Sequence, residues 1–169
     1  MAVLEIKKYP EVVLKEKALT VGSIEDRHQR LIDDMIETMY AAPGIGLAAP
    51  QVGVSERIIV VDVSKTDETA SLIVLFNPEI KDKEGRIESE EGCLSVPGLT
   101  VKISRFEKVA VTGLDREGRG IEIEGEGMLS RALQHEIDHL NGTLIIDRMG
   151  FLKREFFKKR RKKEAMRRD

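Results

Sequence analysis

The segment QHEIDH places two histidines and a glutamate at a spacing that suits metal-assisted hydrolysis. On an α-helix, His135 and His139 lie about 40° apart and one turn along, so both imidazoles can reach one ion. Glu136 lies beside them and can reach a water on that ion without being a ligand. The alternative is a chance pattern on an amphipathic helix, with both histidines in structural hydrogen bonds.

A catalytic site of this kind needs a third protein ligand. Ile145 stands where the longer pattern H-x-x-G-x-x-H would place another histidine. His28 falls among charged residues and is predicted to lie on the surface. Cys93 is the remaining candidate, although a lone cysteine is often only a buried structural residue. One cysteine and two histidines would leave a coordination position open for water, and would suit Fe(II), Zn(II), Ni(II) or Co(II).

A third segment, GIGLAAPQVG, combines glycines with an amide side chain. It has neither the lysine of a phosphate-binding loop nor the preceding strand of a dinucleotide site. Its glycines allow another chain to approach the backbone closely, and Gln51 could donate a hydrogen bond to an oxyanion. A loop that leads into a strand is the plainer interpretation.

The elements that must position these residues are helices and antiparallel strands. Apolar residues at helical spacing predict a first helix at residues 24–42, with Ser23 and Asp26 as a capping box, and a second at 128–141. The runs rich in β-branched residues predict strands at 57–63, 72–77, 99–104, 108–114 and 121–125. DREGRG between the last two predicts an antiparallel hairpin.

These elements indicate the α+β class, because the strands do not alternate with helices. The predicted architecture has antiparallel strands packed around a buried helix that carries the H-E-x-x-H motif. An N-terminal helix and a basic C-terminal helix complete it. On the motif helix the apolar residues Leu133, Ile137 and Leu140 lie beside the metal-facing side, so its burial is expected.

Composition and charge bound the class of protein. The 169 residues predict one catalytic metallohydrolase domain at 1–150 and a basic helix or tail at 151–169. No apolar run approaches the roughly 18 residues of a membrane span, and no signal peptide is evident, which predicts a cytoplasmic protein without membrane or DNA partners. The single cysteine excludes an internal disulfide. Residues 148–169 hold 11 basic and three acidic residues, so the positive charge is concentrated at one end.

The three segments together resemble the peptide deformylases. GIGLAAPQ (residues 44–51), EGCLS (91–95) and QHEIDH (134–139) are similar to the three motifs of that family, in the same order, without a departure inside them. The continuation CLSVPG and the compact length resemble the type 1 bacterial branch.

The resemblance implies a metal-dependent hydrolase that removes the formyl group from the N-formylmethionine of nascent polypeptides and releases formate. One divalent ion, commonly Fe(II), would be bound by Cys93, His135 and His139. Glu136 would be general base and then acid, while Gln51 and the backbone amide of Leu94 would stabilise the oxyanion. Among the substrate-binding candidates, Ile45, Met128 and Ala132 could accommodate an apolar side chain such as methionine, although each could equally be ordinary packing. Gly44 and Gly46 would let an extended peptide pair with the backbone. Glu91 is a further candidate. Arg105 and Arg131 are candidate ion-pair partners of Glu91.

The basic C-terminal segment has two interpretations. Charge runs are often solvated chain ends, but the interleaved Phe151, Phe156 and Phe157 indicate a basic amphipathic helix. The resemblance implies that it docks on the ribosome, so deletion after Gly150 is expected to weaken ribosome binding and to spare the turnover of short peptides. Two other functions remain open at this point: an H-E-x-x-H metallopeptidase, and a non-catalytic RNA-binding protein with a structural metal.

Overall fold

The computed structural model describes residues 2–167, and in that range it contains seven strands and three α-helices. The helices are α1 (Asp26–Ala41), α2 (Met128–Leu140) and α3 (Phe151–Arg167). The strands are β1 (Gly46–Ala48), β2 (Ile58–Val61), β3 (Ile73–Glu84), β4 (Ile87–Cys93), β5 (Val96–Arg105), β6 (Lys108–Leu114) and β7 (Gly120–Glu126). None of these helices is long and apolar enough to cross a membrane.

The strands form two antiparallel sheets. Five of them pair in the order β1-β2-β3-β6-β7, and β4 pairs with β5 in a separate hairpin. The predicted α+β class is confirmed. The predicted hairpin at residues 108–125 is β6–β7, paired from Lys108 opposite Glu126 to Leu114 opposite Gly120.

Strand β2 shows how the sheet is buried on both faces. Its four residues alternate between two apolar clusters, because successive side chains of a strand point to opposite sides. Ile58 and Val60 pack with residues of α1, and Ile59 and Val61 pack with residues of α2. All four residues of the strand are therefore apolar, and α2 packs against the face of the sheet that carries Ile59 and Val61.

Two strands were not predicted, β3 extends well beyond its predicted end, and β5 begins before its predicted start. β1 is only three residues long, and β4 has the largely polar sequence IESEEGC, so neither has the apolar alternation that identifies a strand. β3 was expected to end at Asn77 but continues to Glu84. Asn77 has a φ of 52°, Pro78 follows it, and the pairing with β6 shifts register there, which marks a β-bulge.

The prediction for His28 was wrong, and so was the predicted helix cap. His28 is fully buried and lies edge-on to Phe76, with ring centroids 5.7 Å apart. Its Nδ1 accepts the backbone N–H of Glu25, the residue that caps α1 in place of Ser23, at 2.9 Å. Its Nε2 lies 3.1 Å from a Glu56 carboxylate oxygen. Because both ring nitrogens have partners, the histidine can be buried within the fold.

The C-terminal helix packs on the β4–β5 hairpin. Phe157 is 3% exposed and lies in the same apolar cluster as Val96, and its ring centroid is 5.9 Å from that of Tyr9. Arg161 donates a hydrogen bond to the carbonyl of Pro97 at 2.6 Å. The helix predicted from the basic segment is therefore present, and one of its phenylalanines belongs to the core.

Candidate active site

Helix α2 carries His135, Glu136 and His139 on its inner side. Glu136 is 4% and His139 is 1% exposed, and the two imidazole centroids are 5.0 Å apart. Burial against the sheet therefore excludes bulk water from groups that ordinarily prefer it. Such groups need either mutual pairing or a ligand.

The β4–β5 hairpin brings Cys93 to the two histidines. Its two-residue turn is Leu94–Ser95, and the register shift between Glu91 and Cys93 marks a bulge just before the cysteine. Bulges redirect the following side chain. The Cys93 Sγ lies 3.3 Å from His139 Nε2, and one donor atom from each of Cys93, His135 and His139 lies within 4.8 Å of the others.

These three residues fit a bound cation. Burial, reinforced by the positive charge of His135, lowers the pKa of His139 well below its usual value, so its ring keeps a free lone pair. Burial alone would also lower the pKa of His135, but Glu136 and Cys93 raise it well above its usual value. The surroundings therefore favour a positive charge at this point, which a divalent cation would supply. Sulfur and imidazole nitrogen are ligands that transition metals prefer.

A buried ion-pair network orients His135. Glu91 lies 3.0 Å from His135 Nδ1, and it accepts two hydrogen bonds from Arg105, at 2.8 and 2.9 Å. Burial raises the pKa of Glu91, but the bonds from Arg105 and His135 outweigh it and bring the pKa to about 2. Arg105 is 2% exposed and also binds Asp138 at 2.6 Å. A carboxylate on one ring nitrogen directs the other nitrogen toward a metal.

The amide of Gln51 is fixed beside the cysteine. The side chain is 2% exposed, and its Oε1 accepts the backbone N–H of Ala48 at 3.0 Å. Its Nε2 therefore faces the site, 3.1 Å from the hydroxyl of Ser95 and 3.8 Å from Cys93 Sγ. The backbone carbonyls of Gln51 and Ser95 also bond to the N-terminal segment, at Lys7 and Tyr9. A preorganised donor of this kind can stabilise a developing negative charge.

The carboxylate of Glu136 is the unpaired acid of the site. Within residues 2–167 its buried Oε1 has no hydrogen-bond partner. Burial raises its pKa to about 7, although the charge of His135 lowers it. A group with this pKa can accept a proton and return it near neutrality. Gly46 provides the necessary space, because a Cβ there would lie 2.5 Å from Glu136 Oε2.

A cavity of about 510 Å³ opens onto these groups. Nearly all the predicted site residues line it: Gly44, Ile45, Gly46, Gln51, Glu91, Cys93, Leu94, Met128, Ala132, His135 and Glu136. His139 lies behind, in contact with Cys93. Glu91 forms part of the wall, but both of its oxygens already accept hydrogen bonds from Arg105, and one also contacts His135.

Sequence reasoning missed several residues that line the cavity or support its lining. Ser95, fully buried, bonds to Gln51, and its place inside the EGCLS segment was the available signal. Val96 and Leu99 of β5 add apolar wall. Arg131 lines the cavity as well, and does not pair with Glu91. Its position one turn before His135 on α2 would have pointed to this placement.

Comparison with known proteins agrees with this geometry. A sequence profile of the polypeptide deformylase family matches residues 3–155. The peptide deformylase of Thermodesulfovibrio yellowstonii is 64% identical over 160 residues, which cover 95% of this chain and 97% of that protein.

Solved structures agree as well. The peptide deformylase of Legionella pneumophila superposes with a TM-score of 0.88 at 45% identity, covering 99% of both chains. That of Ehrlichia chaffeensis in complex with actinonin superposes with a TM-score of 0.91 at 40% identity, covering 97% of this chain and 98% of that one. The chain described here therefore belongs to the polypeptide deformylases, enzymes that remove the formyl group from the N-formylmethionine of nascent peptides.

Proposed function

We propose that Cys93, His135 and His139 hold one divalent cation and that Glu136 transfers the proton during deformylation. The supporting observation is the placement of three donor atoms within 4.8 Å of one another beside a buried carboxylate with a free oxygen. A cation bound there would acidify water and polarise the formyl carbonyl. We favour Fe(II), which the resemblance implies, over Zn(II), Ni(II) and Co(II), which the same ligands also accept.

The position of the cavity supports one placement of the peptide. Gly44 and Gly46 line the cavity beside β1, the edge strand of the five-stranded sheet, so an extended peptide could add to this edge as a strand. The methionine side chain would then contact Ile45, Met128 and Ala132, which present apolar surface to the same cavity. We assign Glu91 to holding His135 in place, because both of its oxygens are engaged.

Glu136 would take a proton from the attacking water, and the oxygen of that water would form a bond to the formyl carbon. Gln51 Nε2 and the Leu94 amide would stabilise the negative charge that develops on the formyl oxygen. Glu136 would then give the proton to the methionine nitrogen as the C–N bond breaks. One water is consumed, and formate and a free amino terminus are released.

The test is formate release from a formyl-Met peptide by anaerobically purified protein, with bound metal quantified on the same sample. We expect Glu136→Gln to retain metal and lose turnover by at least about 100-fold. The exposed Glu124→Gln is the matched control and should behave as wild type. Full metal occupancy without formate release by the wild-type protein would overturn the proposal. Metal contents of the active samples would identify which ion supports the reaction.

The same assay separates the two other functions considered. A metallopeptidase would cleave an internal amide of an unformylated peptide, and a binding protein with a structural metal would tolerate Glu136→Gln. Glu136 Oε1 has no hydrogen-bond partner among residues 2–167, which counts against a purely structural metal site. The match to the polypeptide deformylase family counts against a general peptidase.

We further propose that the basic segment 151–169 binds the ribosome through helix α3 (Phe151–Arg167), beside a catalytic domain of residues 1–150, in the cytoplasm where nascent chains emerge. The last two residues of this segment lie outside the described residues. Phe151, Leu152 and Phe156 are 66, 81 and 71% exposed beside several exposed lysines and arginines. An apolar patch within a basic surface suits RNA, whose phosphates bind Lys and Arg in a salt-dependent way.

Substitution tests this more cleanly than deletion after Gly150, because Phe157 belongs to the core. We expect replacement of Lys159, Lys162 and Lys163 by glutamine to weaken co-sedimentation with ribosomes. A plot of log affinity against log salt concentration should also become less steep, with the slope reduced by about one for each lost phosphate contact. Lys65→Gln combined with Lys102→Gln is the control, since both lysines are exposed elsewhere. Ribosome affinity that is equal in both variants and wild type would contradict the proposal.

A further inference from the structure

Two arginines lie near the active site, and they have different surroundings. Arg105 is buried and forms ion pairs with Glu91 and Asp138. Arg131 forms no ion pair with any residue in the range 2–167, and its buried Nε has no hydrogen-bond partner there. Its one side-chain hydrogen bond in that range is donated by Nη2 to the sulfur of Met128, a weak acceptor, with 3.6 Å between the nitrogen and the sulfur. The guanidinium thus keeps most of its donors available.

Arg131 lies where its donors can reach a peptide bound in the cavity. It precedes His135 by four residues on α2, so it lies on the same face of the helix, about 6 Å closer to its N-terminus. It lines the same cavity as Met128 and Ala132. The cavity therefore contains the proposed metal-binding residues, an apolar wall and an unpaired positive charge.

We propose that Arg131 is a specificity-determining residue that binds a carboxylate side chain on one of the first two residues after the formylmethionine. This rests on the proposed function, because it places the formyl group at Cys93 and His135. An extended peptide advances about 3.3–3.6 Å per residue, so these side chains fall within reach of a long side chain one helical turn away. A guanidinium binds a carboxylate through two parallel hydrogen bonds, which an uncharged amide cannot match.

Glu90 is an exposed charged residue on β4 that lines the same cavity and does not pair with Arg131. A carboxylate on the peptide would therefore be attracted by Arg131 and repelled by Glu90. Substituting Arg131 and Glu90 separately distinguishes a direct contact with Arg131 from the combined electrostatic effect of both charges on the peptide.

The experiment compares two substrates that differ only in charge, formyl-Met-Asp-Leu amide and formyl-Met-Asn-Leu amide, together with the pair in which Asp or Asn occupies the third position. The C-terminal amide removes a carboxylate that would otherwise compete. For wild-type holoenzyme we expect the higher kcat/KM with aspartate at one of the two positions. Arg131→Met should lower that Asp:Asn ratio about fivefold, through KM with little change in kcat, while the asparagine peptide changes by less than about twofold.

Arg131→Lys keeps the charge without the planar fork and should lie between wild type and Arg131→Met. Arg30→Met removes an exposed arginine from another helix and should leave the ratio unchanged. Glu90→Gln should raise it. An unchanged ratio in Arg131→Met, with formate still released, overturns this proposal alone. No formate from wild type overturns it together with the proposed function. If Arg131→Met fails to fold, the proposal is overturned when Arg131→Lys shows the wild-type Asp:Asn ratio of kcat/KM at both the second and the third peptide position.

Discussion

Arg105 binds Glu91, the carboxylate that contacts His135, and also binds Asp138. Its removal is therefore predicted to affect both the stability of the fold and metal binding. Its guanidinium makes three short hydrogen bonds to Glu91 and Asp138, of 2.6 to 2.9 Å. Arg105→Met would keep a similar length of side chain and remove the charge. Glu91 would then be a buried carboxylate with only His135 beside it.

The size of the effect follows from the pairing. Removing one partner of a buried ion pair costs about 3–5 kcal/mol, because the other charge stays buried without compensation. Asp138 keeps two hydrogen bonds from Arg148, at 2.7 and 2.8 Å, so the loss falls mainly on Glu91. Lowering the pKa of Glu91 from 4.5 to about 2 corresponds to about 3 kcal/mol of stabilisation of its charged form. We expect the free energy of unfolding to fall by about 3 kcal/mol.

Two measurements check this prediction. In a protein of this size, a loss of about 3 kcal/mol lowers the thermal midpoint by roughly 6–12 °C at constant metal loading. Competition with a chelator should show metal affinity weakened by about 10- to 100-fold, because His135 loses the group that orients it. Arg116→Met removes a partly exposed arginine that pairs with Asp33, and should cost less than about 1 kcal/mol.

Two outcomes would refute the reasoning. If Arg105→Met resembled Arg116→Met in stability, the Glu91 carboxylate would not depend on Arg105. If stability fell while metal affinity stayed at the wild-type value, the network would support the fold without orienting His135. Glu91→Gln introduced into Arg105→Met should recover part of the lost stability, since it removes the uncompensated charge.

Two further predictions concern other carboxylates. The hydrogen bond from Arg27 lowers the pKa of Glu56, so its stabilisation is present above pH 4.5 and is lost as the pH falls through the lowered value. Glu56→Gln should therefore lower the free energy of unfolding, measured with urea, by about 1–2 kcal/mol at pH 7 and by less at about pH 3.5. Glu122→Gln, in an exposed ion pair, should change it little at either pH. Equal losses in Glu56→Gln at both pH values would contradict this prediction. Gly46→Ala should lower kcat by at least about tenfold with metal retained, because its Cβ would displace Glu136; wild-type kcat would show that the carboxylate has room to move.

The elements found from the sequence are those whose pattern is repeated locally. The apolar spacing predicted α1 and α2 to within about two residues at each end. The alternation in β6 and β7 and the turn between them predicted that hairpin. β4 carries mostly polar residues and is stabilised by its pairing with β5, so its own sequence lacks the apolar alternation that would identify it as a strand.

His28 shows that local sequence patterns also fail to identify the partners of a candidate functional residue. It was set aside as a metal ligand because surface exposure was expected, yet it is fully buried. It is unsuited as a ligand for a different reason, since Glu25 and Glu56 already occupy both ring nitrogens. Its burial depends on a carboxylate 28 residues away in the chain, and helical spacing within α1 contains no information about that partner.

The residue types of the active site could be predicted because the chemistry restricts them, whereas their support could not. Only a few side chains bind a transition metal or move a proton near neutral pH, so Cys93, His135, Glu136 and His139 stand out in the sequence. Glu91 and Arg105 belong to residue types that are usually solvated, and only the pairing of β4 with β5 buries them together. We expect a substitution at either residue to leave the three proposed metal ligands in place and still to change the site. Arg105→Met therefore tests this support separately from the ligands themselves.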